Sequence, residues 1–119
     1  MNKIFDGTVT NNLKNSPNTS VTVFKKKEER WEKLLDPFYF DEEKKEPTTQ
    51  NLPKIESWRE TVTIRIALNH PIDKKTCKVN KIENGTNDGP NKVDNFVWDV
   101  DVTAKDNKIT VEIEVAEGE

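Results

Sequence analysis

Phe96-Val97-Trp98-Asp99-Val100-Asp101-Val102-Thr103 is followed, after a short polar segment, by Ile109-Thr110-Val111-Glu112-Ile113-Glu114-Val115. In the first half, Phe96, Trp98, Val100 and Val102 fall at every second position, with Asp99, Asp101 and Thr103 between them. In the second half, Ile109, Val111, Ile113 and Val115 alternate with Thr110, Glu112 and Glu114. Side chains on a strand alternate faces, so each half reads as a strand with one apolar and one polar face. Lys105-Asp106-Asn107-Lys108 between them is polar and rich in turn formers. The pattern predicts a C-terminal β-hairpin over about 96–115. Parity sets its register: a loop at 106–107 or at 105–108 pairs Val102 with Val111, Val100 with Ile113 and Trp98 with Val115. A slip of one residue would turn a whole apolar row to water.

The same register places Asp101 opposite Glu112 and Asp99 opposite Glu114. Like charges facing each other on a sheet cost roughly 0.2–1 kcal/mol per pair. Two readings follow. The carboxylates are solvated, screened and flanked by lysines, or a basic partner or a cation meets this face. A third strand bears on the choice. In Thr61 to Leu68, Val62, Ile64, Ile66 and Leu68 face one way, and Thr61, Thr63, Arg65 and Ala67 face the other. Beside the hairpin, this strand would let Arg65 answer the carboxylates.

Working outward, residues 3–10 and 21–24 read as short strands. Residues 25–35 read as a helix built from Lys, Glu, Arg and Leu, which are good helix formers. Trp31, Leu34, Leu35 and Phe38 share one helical face, and Asp36-Pro37 stops the helix. Lys25-Lys26-Lys27 would oppose the helix dipole. Glu28 and Glu29 cancel their local field, so the run reads as a solvated helix end and not a phosphate site. Phe38-Tyr39-Phe40 comes next, ahead of the charged run 41–46. The trio either plugs the end of the core or forms an exposed anchor, since aromatics dominate interface hot spots. Residues 41–57 show little periodicity and contain Pro47 and Pro53, so about 38–57 reads as a long loop or mobile arm. Loops of that length are usually functional or disordered. Lys78 to Glu83 suggests a further strand, and 84–91 an evident loop.

A length of 119 residues suits one β-rich domain spanning 1–119. Leu, Ile, Val and Phe supply 29 residues of the 119, above the roughly 20% level below which disorder is favoured. The net charge is −3 and the charges are mixed in sign. Without a basic stripe, no nucleic-acid partner is expected. No apolar run reaches the length of a membrane span, and the first residues lack the apolar run of a secretory signal. A cytoplasmic protein, or one assembled into a particle, is therefore expected.

The single histidine, His70, and the single cysteine, Cys77, cannot supply the four ligands of structural zinc. Set against a calcium-binding loop, the stretch 84–95 starts on Asn and ends on Asn where the closing Glu is needed. No nucleophile stands in a histidine–acid setting, and no Gly-rich loop cradles phosphate. No metal, no cofactor and no enzymatic activity are expected.

These readings combine into a mainly β fold: an antiparallel β-sandwich or small barrel, one short α-helix packed on it, and the C-terminal hairpin. The function expected is non-enzymatic. It is a structural or protein-interaction domain in a homo- or hetero-oligomer with other protein subunits, for example in a phage or virus particle or tail; that example rests on general plausibility and no motif. Partner-binding candidates are Phe38, Tyr39, Phe40, Trp58, Asp99, Asp101, Glu112 and Glu114. An acidic inhibitor or immunity-type protein, capturing a basic partner through the four carboxylates, is the alternative. A carbohydrate-binding module is a second alternative, motivated by Trp58, the one tryptophan outside a firm amphipathic pattern.

Overall fold

The structure, a computed structural model, describes residues 2–14, 16, 18–69, 76–83, 86–87, 90–104 and 107–114. For 76, 81–83, 86–87, 107–109 and 111–114 only the backbone is described. These residues form β1 (Lys3–Phe5), β2 (Gly7–Asn12), β3 (Val21–Lys27), β4 (Arg30–Phe38), β5 (Thr48–Asn51) and β6 (Ile55–Ser57). Then come β7 (Thr61–Leu68), β8 (Thr76–Glu83), β9 (Thr86–Asn87), β10 (Asn91–Asp94), β11 (Val97–Thr103) and β12 (Asn107–Glu114). The fold is mainly β, and its sheets are mainly antiparallel.

One five-stranded sheet runs β10-β11-β7-β3-β4 and a second runs β5-β2-β12-β8-β9, with β1 and β6 forming a separate pair. The pairing of β12 with β2 is parallel. Alternation explains the core. On the first sheet Trp98 pairs with Ile66 and Val100 with Ile64, while Val23 pairs with Ile66 and Val21 with Leu68. All of these are buried, and they meet Val9, Cys77 and Val79 of the second sheet in one cluster. Phe5, Leu13, Phe38, Leu52 and Ile55 complete it. Each fully buried aliphatic side chain contributes about 1.5–3 kcal/mol relative to exposure.

The expected hairpin over 96–115 does not form. β11 pairs with β7 and β10, and β12 pairs with β2 and β8, in different sheets. The pairing of Val102 with Val111 and Val100 with Ile113 is therefore replaced by Val102 with Val62 and Val100 with Ile64. The physical reason is that alternation specifies which face of a strand is apolar, and says nothing about its neighbour. The chain passes from β11 in one sheet to β12 in the other, and each strand has two neighbours in its own sheet. Val115 and the turn residues 105–106 lie outside the described residues, as does His70.

The expected helix over 25–35 is instead a β-hairpin of β3 and β4. Lys27 pairs with Arg30, which leaves Glu28-Glu29 as a two-residue loop. Glu28 has φ 59°, the left-handed backbone that such loops require at their first residue. Two irregularities explain the misreading. Val21 pairs with Phe38, Val23 with Leu35 and Phe24 with Lys33, so β4 carries extra residues at two places. A bulge opposes two residues to one and shifts the alternation. It lengthens the spacing of Trp31, Leu34, Leu35 and Phe38 until it imitates a helical face.

The stretch 38–57, expected as a loop or arm, contains β5 and β6. Asp41 and Glu46 close its charged run with two backbone hydrogen bonds of 3.0 and 3.1 Å. Leu52 and Ile55 anchor it in the core. A buried asparagine ties the surrounding loops together. Asn11 Nδ2 donates to the carbonyls of Thr19 and Phe38, at 3.2 and 3.0 Å, and its Oδ1 accepts from Leu13 N–H at 3.0 Å.

Candidate functional site

The predicted partner-binding residues separate into distinct places. Phe38 and Phe40 are 7% and 8% exposed, with Phe38 packed in the core cluster, while Tyr39 between them is 47% exposed. This is strand-like alternation carried past the end of β4. Trp58 is 71% exposed, the most exposed large apolar side chain among the described residues. It lies in the bend between β6 and β7.

Asp99 and Asp101 lie on β11, opposite Arg65 and Thr63 of β7. Arg65 Nε donates to Asp99 Oδ1 at 2.7 Å, and Nη2 donates to Oδ2 at 3.1 Å. The Thr63 hydroxyl donates to Asp101 Oδ1 at 2.8 Å. The hydrogen bond that Arg65 donates to Asp99 pushes the Arg65 pKa up, against a smaller opposing effect of burial. Arg65 also stacks on Trp31, its guanidinium carbon 4.1 Å from the ring centroid. The facing of Asp99 and Asp101 by Glu114 and Glu112 is absent, because β11 and β12 lie in different sheets. On β12, Glu112 stands opposite Lys78 and Asn12, and Glu114 opposite Thr76. The side chains of Glu112 and Glu114 lie outside what the structure describes.

A cleft of about 570 Å³ is lined by Ser57 and Arg59, the chain neighbours of Trp58, and not by Trp58 itself. Its origin lies in the ladder between β3 and β7. That ladder ends at Lys25 opposite Ile64, although β3 continues to Lys27 and β7 begins at Thr61. Beyond that pair no ladder joins the two strands, and each stays extended because it is paired on its other side. Lys26 pairs with Trp31 and Lys27 with Arg30, and Thr61, Val62 and Thr63 pair with Thr103, Val102 and Asp101. Lys25 to Glu28 form one wall and Thr61 to Thr63 another, and Ile55 to Ser57 with Arg59 and Glu60 complete the lining.

The bend that carries Trp58 is held at both ends. Arg59 N–H donates to Ser57 Oγ at 3.2 Å, and Lys3 of β1 forms an ion pair with Glu60. The Arg59 guanidinium lies 5.4 Å from the Trp58 centroid, within cation–π reach. Among the cleft cations, Lys27 approaches Glu32 at 3.8 Å. Among the described residues, Lys25, Lys26 and Arg59 form no ion pair within 4 Å.

Reading the lysine run as a solvated helix end misses its part in a cleft. One signal is available in the sequence: three successive residues on a strand cannot share a face, so as a strand the run places lysines on both sides of the sheet end. Among the described residues no group of three His, Cys, Asp or Glu side chains is placed to hold a metal ion. Nor is any helix among them long and apolar enough to cross a membrane. No family model, curated protein or solved structure matches the chain.

Proposed function

We propose that this chain is a non-enzymatic protein-interaction domain, a β-sandwich whose contact centre is the exposed Trp58, next in the chain to Arg59 of the β3–β7 cleft. The observation that carries the reading is the 71% exposure of Trp58 on a bend braced by a hydrogen bond and an ion pair. An aromatic ring left in water forgoes burial worth about 1.5–3 kcal/mol. Tryptophan and arginine are the residues most enriched at interface hot spots. The partner is another protein subunit. In the homomeric version the partner is a second copy of the chain, and light scattering at high concentration measures it directly.

A second reading, carbohydrate binding, draws on the same ring, because Thr61, Thr63 and Ser57 line the adjoining cleft with hydroxyls. Protein and glycan arrays probed with wild type and Trp58→Ala separate the two. Protein-array signals that disappear with the variant support the first reading, and glycan-array signals that disappear with it support the second. Signals on either array that are indifferent to Trp58 count against the corresponding reading.

A further inference from the structure

We infer that the cleft where the β3–β7 ladder stops is a strand-docking site for an extended segment of a partner protein bearing one carboxylate side chain. The inference rests on the protein-interaction reading and specifies its ligand.

The first support is the main chain. Beyond the Lys25–Ile64 pair, Lys26 and Lys27 on one side and Thr61 to Thr63 on the other remain extended but have no ladder between them. Each strand is paired on its far side. Each therefore turns unladdered N–H and C=O groups toward the cleft. Two such edges facing each other are what an added strand pairs with: main-chain hydrogen bonds supply affinity and alternate side chains supply specificity. Ordinary sheet edges lie on the outside of a sheet. These edges lie inside one, so an inserted segment gains partners on both sides.

The second support is the cleft itself. A cleft of about 570 Å³ lies where the ladder stops, and both strand ends line it.

The third support is charge. Lys25, Lys26 and Arg59 line the cleft without a carboxylate partner among the described residues, whereas Glu60 is held by Lys3. Glu28 and Glu56 also line it. The field therefore suits a single carboxylate flanked by neutral residues and disfavours an acidic run. This reverses the sign of partner suggested by the acidic residues of the C-terminal strands. Ser57 and Arg59, which flank the exposed Trp58 in the chain, both line the cleft.

The test uses the whole chain labelled with ¹⁵N, and a pooled library of capped heptapeptides alternating Thr with Val or Ile around a central Glu. The expected result is movement of the amide resonances of Lys26, Lys27 and Thr61 to Thr63. Methylating alternate peptide nitrogens should weaken binding about tenfold, the loss expected of one or two main-chain hydrogen bonds. Replacing the central Glu by Lys should weaken it about fivefold, as expected for reversed charge beside exposed cations. Equal binding by the methylated pool overturns the inference, as does no binding at about 2 mM peptide, near the weak limit of specific docking. A pool that binds at Trp58 without moving those five amides overturns strand docking and leaves the interaction reading standing. A glycan that binds at Trp58 where no peptide binds removes both.

Discussion

Arg65 and Asp99 face each other on neighbouring strands and share two hydrogen bonds, of 2.7 and 3.1 Å, while Trp31 lies under the guanidinium. The side chains of Arg65 and Asp99 are 27% and 25% exposed, so solvent weakens the pair without removing it. Arg65→Ala is expected to destabilise the fold by about 1–2 kcal/mol, and a double-mutant cycle with Asp99→Ala should show coupling of about 0.5–1.5 kcal/mol. Because the folded pKa of Arg65 is raised, its contribution is fully present below the ordinary guanidinium pKa and is lost only as pH rises beyond it. The Arg65→Ala deficit should therefore not grow or shrink through arginine titration at ordinary pH. Urea unfolding of the four proteins measures both quantities.

Asn11 is fully buried and makes three hydrogen bonds to three different backbone groups. Asn11→Ala removes all three hydrogen bonds from a buried site, and should cost about 2–4 kcal/mol. Asn11→Asp keeps the acceptor, loses the donors and buries a charge, so it should be at least as damaging. Denaturant midpoints compared with wild type give the answer. A loss within about 0.5 kcal/mol, typical of surface substitutions, would contradict the role assigned here.

Glu28 separates the two readings of residues 25–35. In the two-residue loop it occupies a left-handed backbone that costs a non-glycine residue about 1–2 kcal/mol. Glu28→Gly should therefore stabilise the protein, by about 0.5–1 kcal/mol after the greater entropy of the unfolded glycine is counted. Inside a helix the same change would cost about 1 kcal/mol. Thermal unfolding followed by circular dichroism reads the sign directly.

Cys77 is buried, and burial pushes its thiol pKa up, with the charge of Lys92 pulling weakly the other way. The neutral thiol is therefore favoured in the fold. Its contribution is fully present below the ordinary thiol pKa of about 8.5 and is lost as pH rises through the folded value. Wild-type stability should fall above about pH 9, and Cys77→Ala, though less stable throughout, should show a flatter fall. A disulfide reagent should label Cys77 slowly in the native protein and rapidly in denaturant.

The apolar rows are legible in the sequence. Trp98, Val100 and Val102, and Ile64, Ile66 and Leu68, are buried as their alternation requires. Strand partners are not legible, because an amphipathic strand serves equally in a hairpin or in either of two facing sheets. Arg65 can be anticipated as the answer to Asp99, since both lie on polar faces of strands that period alone defines. The β3–β4 hairpin is hidden because its bulges break the alternation into helical spacing, and because Glu28-Glu29 lacks the Asn or Gly that usually marks such a loop. The cleft is illegible for another reason. It arises where one ladder stops short of both its strands, which is a relation between distant segments that no local pattern carries. Asn11 gives no signal either, being one of many asparagines in polar surroundings.

The interaction reading is tested most directly by capture from an extract of the source cells, with wild type and the Trp58→Ala/Arg59→Ala variant as equal-load baits and quantitative mass spectrometry as the readout. Matching thermal melts for the two baits would show that both are folded, as expected of two exposed positions. The account predicts one or more proteins enriched on wild type and reduced about tenfold or more on the variant, the loss expected on removing one hot spot. Equal recovery of the same proteins on both baits, or no protein enriched on wild type, would contradict it.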